Sequence, residues 1–197
     1  MRYEQPCFFF GAMSPYSWFA AERIETLLGE AKWRGVFAGA LFKANDRVSW
    51  GITERRAKGI ADCDQRAAEH GLGPIKWPDP WPTNDVIVAR GMVYAEQNEL
   101  LKPFSMAAMR LCFLEGWDLG ELEAVLLAGE RVGIARAKLE RALSSDSVKQ
   151  GLRDANDEAL AAGVFGVPTV AVGEELFWGD DKLVDAAQAF HALNQGS

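Results

Sequence analysis

Residues 7–17 read CFFFGAMSPYS, in which an aromatic run leads through a glycine into a serine–proline pair. The apolar run at 7–10, ended by Gly11, is typical of a buried β-strand. Ser14 is a residue type that commonly caps the start of a helix, and Pro15 suits the first helical position. The segment therefore predicts a strand, a short loop and a helix that begins at Pro15.

The residues after this turn complete a β-α-β unit. Apolar side chains recur at helical spacing as far as Leu28, and Gly29 offers a helix stop. Residues 33–41 contain a second strand candidate with Val36 and Phe37 in its middle. A strand, a helix and a strand in this order predict a parallel pair with a right-handed crossover.

The middle of the chain changes to an all-helical pattern. Residues 53–71 form a polar helical segment, and the proline-rich run at 74–82 cannot be a regular helix. Four further helical segments follow, at residues 84–98, 102–116, 119–129 and 134–143. We therefore predict an inserted helical domain over residues 53–145.

The last third returns to a mixture of helix and strand. The pattern predicts a helix over 146–162, a hairpin made of 168–172 and 176–178, and a closing helix over 181–193. Taken as a whole, the chain predicts an α/β protein of the order β-α-β, helical insertion, α-β-β-α. Its outer domain would comprise residues 1–52 and 146–197.

The composition excludes several classes of protein. A formal net charge of −7, without a large cluster of Lys and Arg, is opposite to the positive surface that nucleic-acid binding needs. The first apolar run is far too short for a signal peptide or a membrane span, so we expect a cytoplasmic protein that does not contact membranes. Cys7, Cys63 and Cys112 have neither CxxC nor metal-ligand spacing, so we expect buried free thiols and no metal.

Other polar residues are predicted to lie on the surface. His70 and His191 occupy polar helical contexts, which favours exposure to solvent. Asp62 and Arg66 are four residues apart in a predicted helix, which favours a local ion pair.

Two segments carry the candidate chemistry. At Ser14, the first N–H groups of the predicted helix and its dipole favour a bound anion, although a plain helix cap is the alternative. The second segment, residues 163–169, reads GVFGVPT, and its Val167–Pro168 bond enters a strand. Most such bonds are trans, and the pattern alone predicts nothing else.

The order of these motifs resembles the DsbA-like thioredoxin family. The resemblance is carried by SPYSW at 14–18, GVFGVPT at 163–169 and FWGDD at 177–181, and it spans nearly the whole chain. Within that family the chain is most similar to 2-hydroxychromene-2-carboxylate isomerases and kappa-class glutathione transferases. The resemblance implies a thioredoxin fold with a large all-α insertion, and a homodimer.

The resemblance also implies a site for glutathione. Ser14 stands where redox relatives carry the attacking cysteine, and a hydroxyl cannot form a disulfide. In the resembling enzymes this serine donates to the thiolate of glutathione. Pro168 would then be cis, and the backbone of Val167 would pair with the cysteine of glutathione. Asp181, with Asp180 beside it, would hold the γ-glutamyl amino group.

Further candidate residues are less strongly placed. Lys43 belongs to a segment, 41–44, that resembles an interior segment of the family, and residues 45–47 (NDR) follow it where the family runs toward a Gly-Asn pair. Lys43, Asn45 and Arg47 could contact glutathione or remain on the surface. The substrate candidates are Tyr16 and Ser17 in the turn, Arg90 for a substrate carboxylate, and Trp81 for an aromatic pocket. Packing onto the helical block is the alternative for Trp81.

The implied activity is a glutathione-dependent isomerisation in aromatic catabolism. In this reaction type, the thiolate adds to the chromene carboxylate, the ring opens, a single bond rotates and the thiol leaves. A kappa-class-like glutathione transferase would use the same site but consume glutathione. A redox-inactive DsbA-like module that binds peptides in the same groove is a third alternative.

Overall fold

The sheet is mixed and has four strands in the computed structural model, which describes residues 2–195. The strands are β1 (Tyr3–Phe10), β2 (Lys32–Gly35), β3 (Thr169–Gly173) and β4 (Glu175–Trp178). Their spatial order is β2-β1-β3-β4, with β1 parallel to β2 and the other two pairs antiparallel. The predicted parallel start and the predicted terminal hairpin are both confirmed.

Helices account for most of the remaining chain. They are α1 (Pro15–Ala21), α2 (Ile24–Leu28), α3 (Ala38–Ala44), α4 (Arg56–Glu69), α5 (Val86–Glu96), α6 (Leu101–Glu115), α7 (Leu122–Arg131), α8 (Arg136–Leu143), α9 (Asp146–Ala161) and α10 (Leu183–Gln195). Short 3-10 helices occur at Trp50–Ile52 and Asp180–Lys182. The helices predicted over the middle of the chain are confirmed, with ends that shift by a few residues.

Both faces of β1 are covered, which explains its continuous apolar run. Phe8 and Phe10 stack at a centroid distance of 5.1 Å and belong to the larger core cluster together with Trp33. Cys7 and Phe9 point to the opposite face, into a second cluster beneath α3 and α9. Alternate residues of one strand therefore serve two cores.

The second strand is shorter than the sequence predicts. Its pairing with β1 ends at Gly35, and the predicted strand over 33–41 gives way to α3. The backbone N–H of Phe37 donates to the side-chain oxygen of Asn156 at 3.0 Å instead of continuing the ladder. The apolar run after Gly35 is therefore the buried start of a helix.

The helical block packs directly on the sheet and on α1. Trp18 of α1 stacks on Phe113 of α6 at 5.4 Å between ring centroids. Helices α5 and α6 also contact β2. The larger core cluster contains residues from both the outer elements and the helical block. The division into residues 1–52 with 146–197 and residues 53–145 stays a prediction.

Arg34 joins β2 to two helices. Its guanidinium donates to Glu96 at 2.8 Å and contacts Glu158 at 2.6 Å, and its side chain is only 17% exposed. Replacing Arg34 with methionine should lower the free energy of unfolding by about 3 kcal/mol, because Glu96 would lose its cation and Glu158 would keep only the more distant Lys32, at 3.9 Å. Urea denaturation of both proteins measures this difference.

A matched control for this prediction lies on the surface. Arg136 also pairs with a carboxylate, that of Glu123, but both side chains are largely exposed. Arg136→Met should leave the urea midpoint nearly unchanged, because exposed ion pairs contribute little. Equal effects of the two substitutions would contradict a structural role for the Arg34 pairs.

Asp85, at the start of α5, predicts a pH-dependent stability. Burial raises the pKa of its carboxyl from 3.8 to about 6. Because the folded protein favours the protonated form, this contribution to stability is present below pH 3.8 and is lost as the pH rises through about 6. Asp85→Asn should therefore stabilise the protein above pH 7, by at most about 3 kcal/mol.

Urea denaturation at pH 4 and pH 8 tests this expectation. The gain from Asp85→Asn should be large at pH 8 and small at pH 4. Asp157→Asn, at an exposed position of α9, provides the control and should show no comparable change between the two pH values. A gain from Asp85→Asn that is the same at both pH values would contradict the role of ionisation.

Candidate active site

Ser14 caps the start of α1 through its hydroxyl oxygen, which leaves its hydroxyl hydrogen for another acceptor. The Ser14 hydroxyl oxygen accepts from the backbone N–H of Ser17 at 3.2 Å, and Ser14 is half-buried. Its own N–H donates to the carbonyl of Gly11 at 3.1 Å, which fixes the loop. A serine hydroxyl has one hydrogen as well as its lone pairs. The hydroxyl hydrogen is therefore available to a ligand.

The GVFGVPT segment lies against this turn. The Val167–Pro168 peptide is cis, as the resemblance implied. A Cβ atom placed on Gly11 would lie 3.5 Å from a methyl group of Val167, so the two loops touch. The carbonyl of Pro168 accepts from the N–H of Gly179 at 2.9 Å, which brings the start of the 3-10 helix at Asp180–Lys182 to the same edge of the sheet.

A cavity of about 460 Å³ opens beside the turn. It lies between α1, α4 and the 3-10 helix that precedes α10. Tyr16, two residues beyond Ser14, forms part of its wall. Charged groups dominate the lining, which includes Arg23, Asp62, Arg66, Glu69, His70, Asp180 and Asp181.

Asp180 is the buried centre of this charged group. It is 2% exposed, and one carboxylate oxygen accepts from Arg66 at 2.8 Å. Its other oxygen lies 3.8 Å from Arg23 and 3.7 Å from His70, and it has no hydrogen-bond partner within residues 2–195. His70 in turn bonds to Arg23, with 2.9 Å between the nitrogens. The 3-10 helix is thus tied to α4 and to the segment between α1 and α2.

These contacts correct two surface predictions. Arg66 pairs with Asp180 across the fold, and among the described residues it makes no ion pair with Asp62. His70 is half-buried and lines the cavity, whereas His191 is exposed as predicted. Burial opposes the charge on Arg66, but the nearby Asp180 carboxylate raises the pKa of Arg66 overall.

The protein's own thiols are unsuited to the chemistry. Cys7, Cys63 and Cys112 are buried and free, as predicted. Burial raises the pKa of Cys7 and of Cys63 to about 12 and raises the pKa of Cys112 well above its usual value. Since the thiolate is the nucleophilic form, these groups are inert near neutral pH. A thiolate at this site would have to come from a ligand.

Comparison with known proteins agrees with this geometry. A family model of the DSBA-like thioredoxin domain matches residues 7–191. The chain belongs to the DsbA-like thioredoxin family. It is 24% identical, over 186 residues and 89% of both chains, to a 2-hydroxychromene-2-carboxylate isomerase of Pseudomonas putida.

Solved structures show the same DsbA-like fold. A 2-hydroxychromene-2-carboxylate isomerase superposes with a TM-score of 0.83 at 22% identity, covering 97% of this chain and 96% of the other. The cytosolic disulfide reductase DsbM of Pseudomonas aeruginosa, solved with GSH, superposes with a TM-score of 0.64 at 12% identity and covers 98% of each chain. The predicted thioredoxin fold is therefore confirmed.

Three of the predicted substrate residues of this DsbA-like protein lie away from the cavity wall. Ser17 is fully buried, and its hydroxyl accepts from the N–H of Gly11 at 3.3 Å. Ser17 therefore stabilises the turn from its buried side. Trp81 is 5% exposed and packs on Trp50 and Trp77. This agrees with the alternative interpretation of Trp81 as a packing residue. Arg90 donates to the carbonyl of Leu143 at 3.4 Å and is not part of the cavity lining.

The end of α3 and the residues after it carry the three polar candidates at 43, 45 and 47. Lys43 and Asn45 are exposed, and the Asn45 amide donates to the carbonyl of Leu41 at 2.8 Å. Arg47 stacks over Trp178 at 4.7 Å and over Phe165 at 5.3 Å. A contact of Lys43 or Asn45 with glutathione stays a prediction.

Arg23, Arg66 and His70 line the cavity, and the sequence patterns did not single them out as candidates for a site. Each sits in a helical context where a surface role is the default interpretation. No group of three or more His, Cys, Asp or Glu side chains within residues 2–195 is arranged to hold a metal ion. No helix in that range is long and apolar enough to cross a membrane. The homodimer and the cytoplasmic location stay predictions.

Proposed function

We propose that this chain is a glutathione-dependent isomerase of the 2-hydroxychromene-2-carboxylate type. The observation that carries the proposal is that the turn of Ser14 touches the loop of the cis Val167–Pro168 peptide, while Tyr16 of the same turn lines a cavity that contains both charge signs. The name of the Pseudomonas putida relative supports the choice of substrate class, an aromatic chromene carboxylate.

The site fits glutathione on three grounds. Ser14 keeps a hydroxyl hydrogen for a sulfur anion, because its oxygen already accepts from Ser17. The cis peptide at Pro168 lies beside the turn, where the backbone of Val167 can pair with an extended peptide. The cavity beside Tyr16 offers both cations and carboxylates to the zwitterionic end of the tripeptide.

Glutathione, when bound, would supply a thiolate nucleophile for reversible addition to the substrate. Ser14 stabilises that anion by donating its hydroxyl hydrogen. A free thiol has a pKa of about 8.5, and lowering it by two units requires a preference for the anion of about 2.7 kcal/mol. A hydrogen bond to a charged group contributes about 1.5–3 kcal/mol, which reaches this range without a histidine base.

Product analysis tests the proposal. The protein is incubated with 2-hydroxychromene-2-carboxylate, with and without glutathione, and the products are identified by mass and ultraviolet spectrum. An isomerase should give a product of unchanged mass, only when glutathione is present, and should leave the glutathione concentration constant. A product heavier by the tripeptide would instead identify a transferase.

Binding measurements address the third alternative. We expect glutathione to bind and to show thiolate absorbance in the ultraviolet near neutral pH. Tight binding of unrelated extended peptides, together with no measurable binding of glutathione, would overturn the enzyme proposal in favour of a redox-inactive binding module.

A further inference from the structure

The loop that carries Ser14 contacts the helical block through the side chain of Met13. Met13 directly precedes Ser14, is 5% exposed and belongs to the larger core cluster. Its sulfur lies 3.7 Å from the hydroxyl oxygen of Thr83, in the segment between α4 and α5. A methionine side chain has three rotatable bonds and adapts to its surroundings, so its neighbours decide where it lies. The position of Met13 therefore depends on that of Thr83.

Asp118, in the segment between α6 and α7, fixes the side chain of Thr83. The Thr83 hydroxyl donates to a carboxylate oxygen of Asp118, and the same oxygen accepts from the N–H of Gly120 at 2.8 Å. A hydroxyl has one hydrogen, and a carboxylate is a much stronger acceptor than a thioether. Thr83 thus gives its hydrogen to Asp118 and touches Met13 by packing.

Gly120 leaves the space that this contact occupies. A Cβ atom at this position would lie 2.6 Å from the hydroxyl oxygen of Thr83 and 3.2 Å from the carboxylate oxygen of Asp118. Both distances are shorter than an ordinary van der Waals contact, so a larger residue here would displace Thr83 or Asp118. We call Thr83, Asp118 and Gly120 the Thr83 brace.

We propose that the Thr83 brace positions Ser14, through Met13, for the sulfur of bound glutathione. Thr83 and Asp118 are positioning residues, and neither lines the cavity beside Tyr16. The inference rests on the proposed function, in which the Ser14 hydroxyl donates to the thiolate. Hydrogen bonds weaken steeply when their angle is lost, and a misplacement of about 1 Å can cost about 100-fold in rate. The helical block thus contributes to catalysis from outside the cavity.

Thr83→Val tests the brace with almost no change in side-chain volume and none in charge. We expect the pKa of the bound glutathione thiol to rise by about one unit, which corresponds to up to about tenfold less thiolate near neutral pH. Ultraviolet titration of the bound ligand measures this pKa. The kcat should fall by about tenfold with little change in KM for the chromene carboxylate, because substrate contacts are untouched. Thr83→Ser, which keeps the hydroxyl, should restore most of the thiolate signal.

Two substitutions of Asp118 separate position from charge. Asp118→Ala removes the acceptor of Thr83 and should raise the thiol pKa as Thr83→Val does. Asp118→Asn keeps an acceptor oxygen but loses the negative charge, so it should change the thiol pKa little. If the carboxylate acted through its electric field, both substitutions would lower the thiol pKa, because removing a nearby negative charge favours the thiolate. A fall in both variants would overturn the proposal.

Further variants test whether the effects share one path. Asp118→Ala should add little to the thiol pKa in the Thr83→Val background, because both changes break the same contact. Gly120→Ala should raise the thiol pKa by displacing Thr83. Thr26→Val, at an exposed position of α2, removes a hydroxyl elsewhere and should leave the thiol pKa unchanged. Additive shifts from Thr83→Val and Asp118→Ala would contradict a single brace.

Failure of the inference and failure of the proposed function give different results. If Thr83→Val lowers the urea midpoint but binds glutathione with the wild-type thiol pKa, the brace only stabilises the fold. The inference is then overturned and the proposed function stands. If the wild-type protein binds no glutathione, the proposed function fails and the inference fails with it.

Discussion

Replacing Ser14 with alanine should abolish most of the thiolate absorbance of bound glutathione at neutral pH and lower kcat/KM about 100-fold. The reason is the loss of the single hydroxyl hydrogen that the turn leaves free for the sulfur, since the hydroxyl oxygen is occupied by the N–H of Ser17. Removing a charge-assisted hydrogen bond of about 1.5–3 kcal/mol raises the thiol pKa by about one to two units. A titration of the ultraviolet absorbance from pH 5 to 10 measures that pKa directly.

The neighbouring serine provides the matched control. Ser17 is in the same turn, but its hydroxyl is fully buried and accepts from the N–H of Gly11. Ser17→Ala should therefore keep the thiolate pKa of bound glutathione and lose about 1 kcal/mol of stability. Ser14→Thr, which retains a hydroxyl, should recover part of the signal.

Stability must be followed in parallel for the Ser14 variants. Ser14 caps α1, and the loss of such a cap costs about 1 kcal/mol. That cost acts on the free energy of unfolding, whereas the thiol pKa reports the contact with sulfur. A folded Ser14→Ala protein that binds glutathione with an unchanged, lowered thiol pKa would contradict the role of this hydroxyl.

Local sequence signals were sufficient for most of the fold because they concern neighbours along the chain. The apolar run of β1 predicts a strand covered on both faces, and Ser14-Pro15 predicts the start of α1 correctly. The same local reasoning fails over residues 33–41. Val36 is apolar and buried, but this does not reveal that β2 has stopped pairing with β1. The contact that ends it joins Phe37 to Asn156, far away in sequence.

Part of the candidate site could be proposed from the sequence for the same reason. Ser14 and Pro168 each belong to a short motif that can be recognised in the sequence alone. The structure brings the loops that carry these motifs into contact. The charged lining of the cavity joins Arg23 on the segment between α1 and α2, Arg66 on α4 and Asp180 before α10. No spacing rule connects three elements so distant in the chain, and each residue alone is typical of a protein surface.

The interface between α1 and the helical block predicts the second large effect. Trp18 is fully buried, stacks on Phe113 at 5.4 Å and donates its indole N–H to Glu22 at 3.0 Å. Trp18→Ala should lower the free energy of unfolding by about 3–5 kcal/mol, because it removes a large buried ring and leaves a cavity. Trp117→Ala, at a position that is 39% exposed, should cost much less.

Trp18 also lies one helical turn after Ser14, so its loss should loosen the site that the turn builds. Glutathione at 100 times its Kd for the wild-type protein should add about 2.7 kcal/mol of stability to any variant that binds it with wild-type affinity, since the ligand binds only the folded protein. We expect the restoration to be nearly complete in Trp117→Ala and smaller in Trp18→Ala, where the affinity itself falls. Urea denaturation with and without glutathione measures both quantities. Equal glutathione affinity in a strongly destabilised Trp18→Ala protein would show that the Ser14 turn holds its shape without the helical block, and would contradict this coupling.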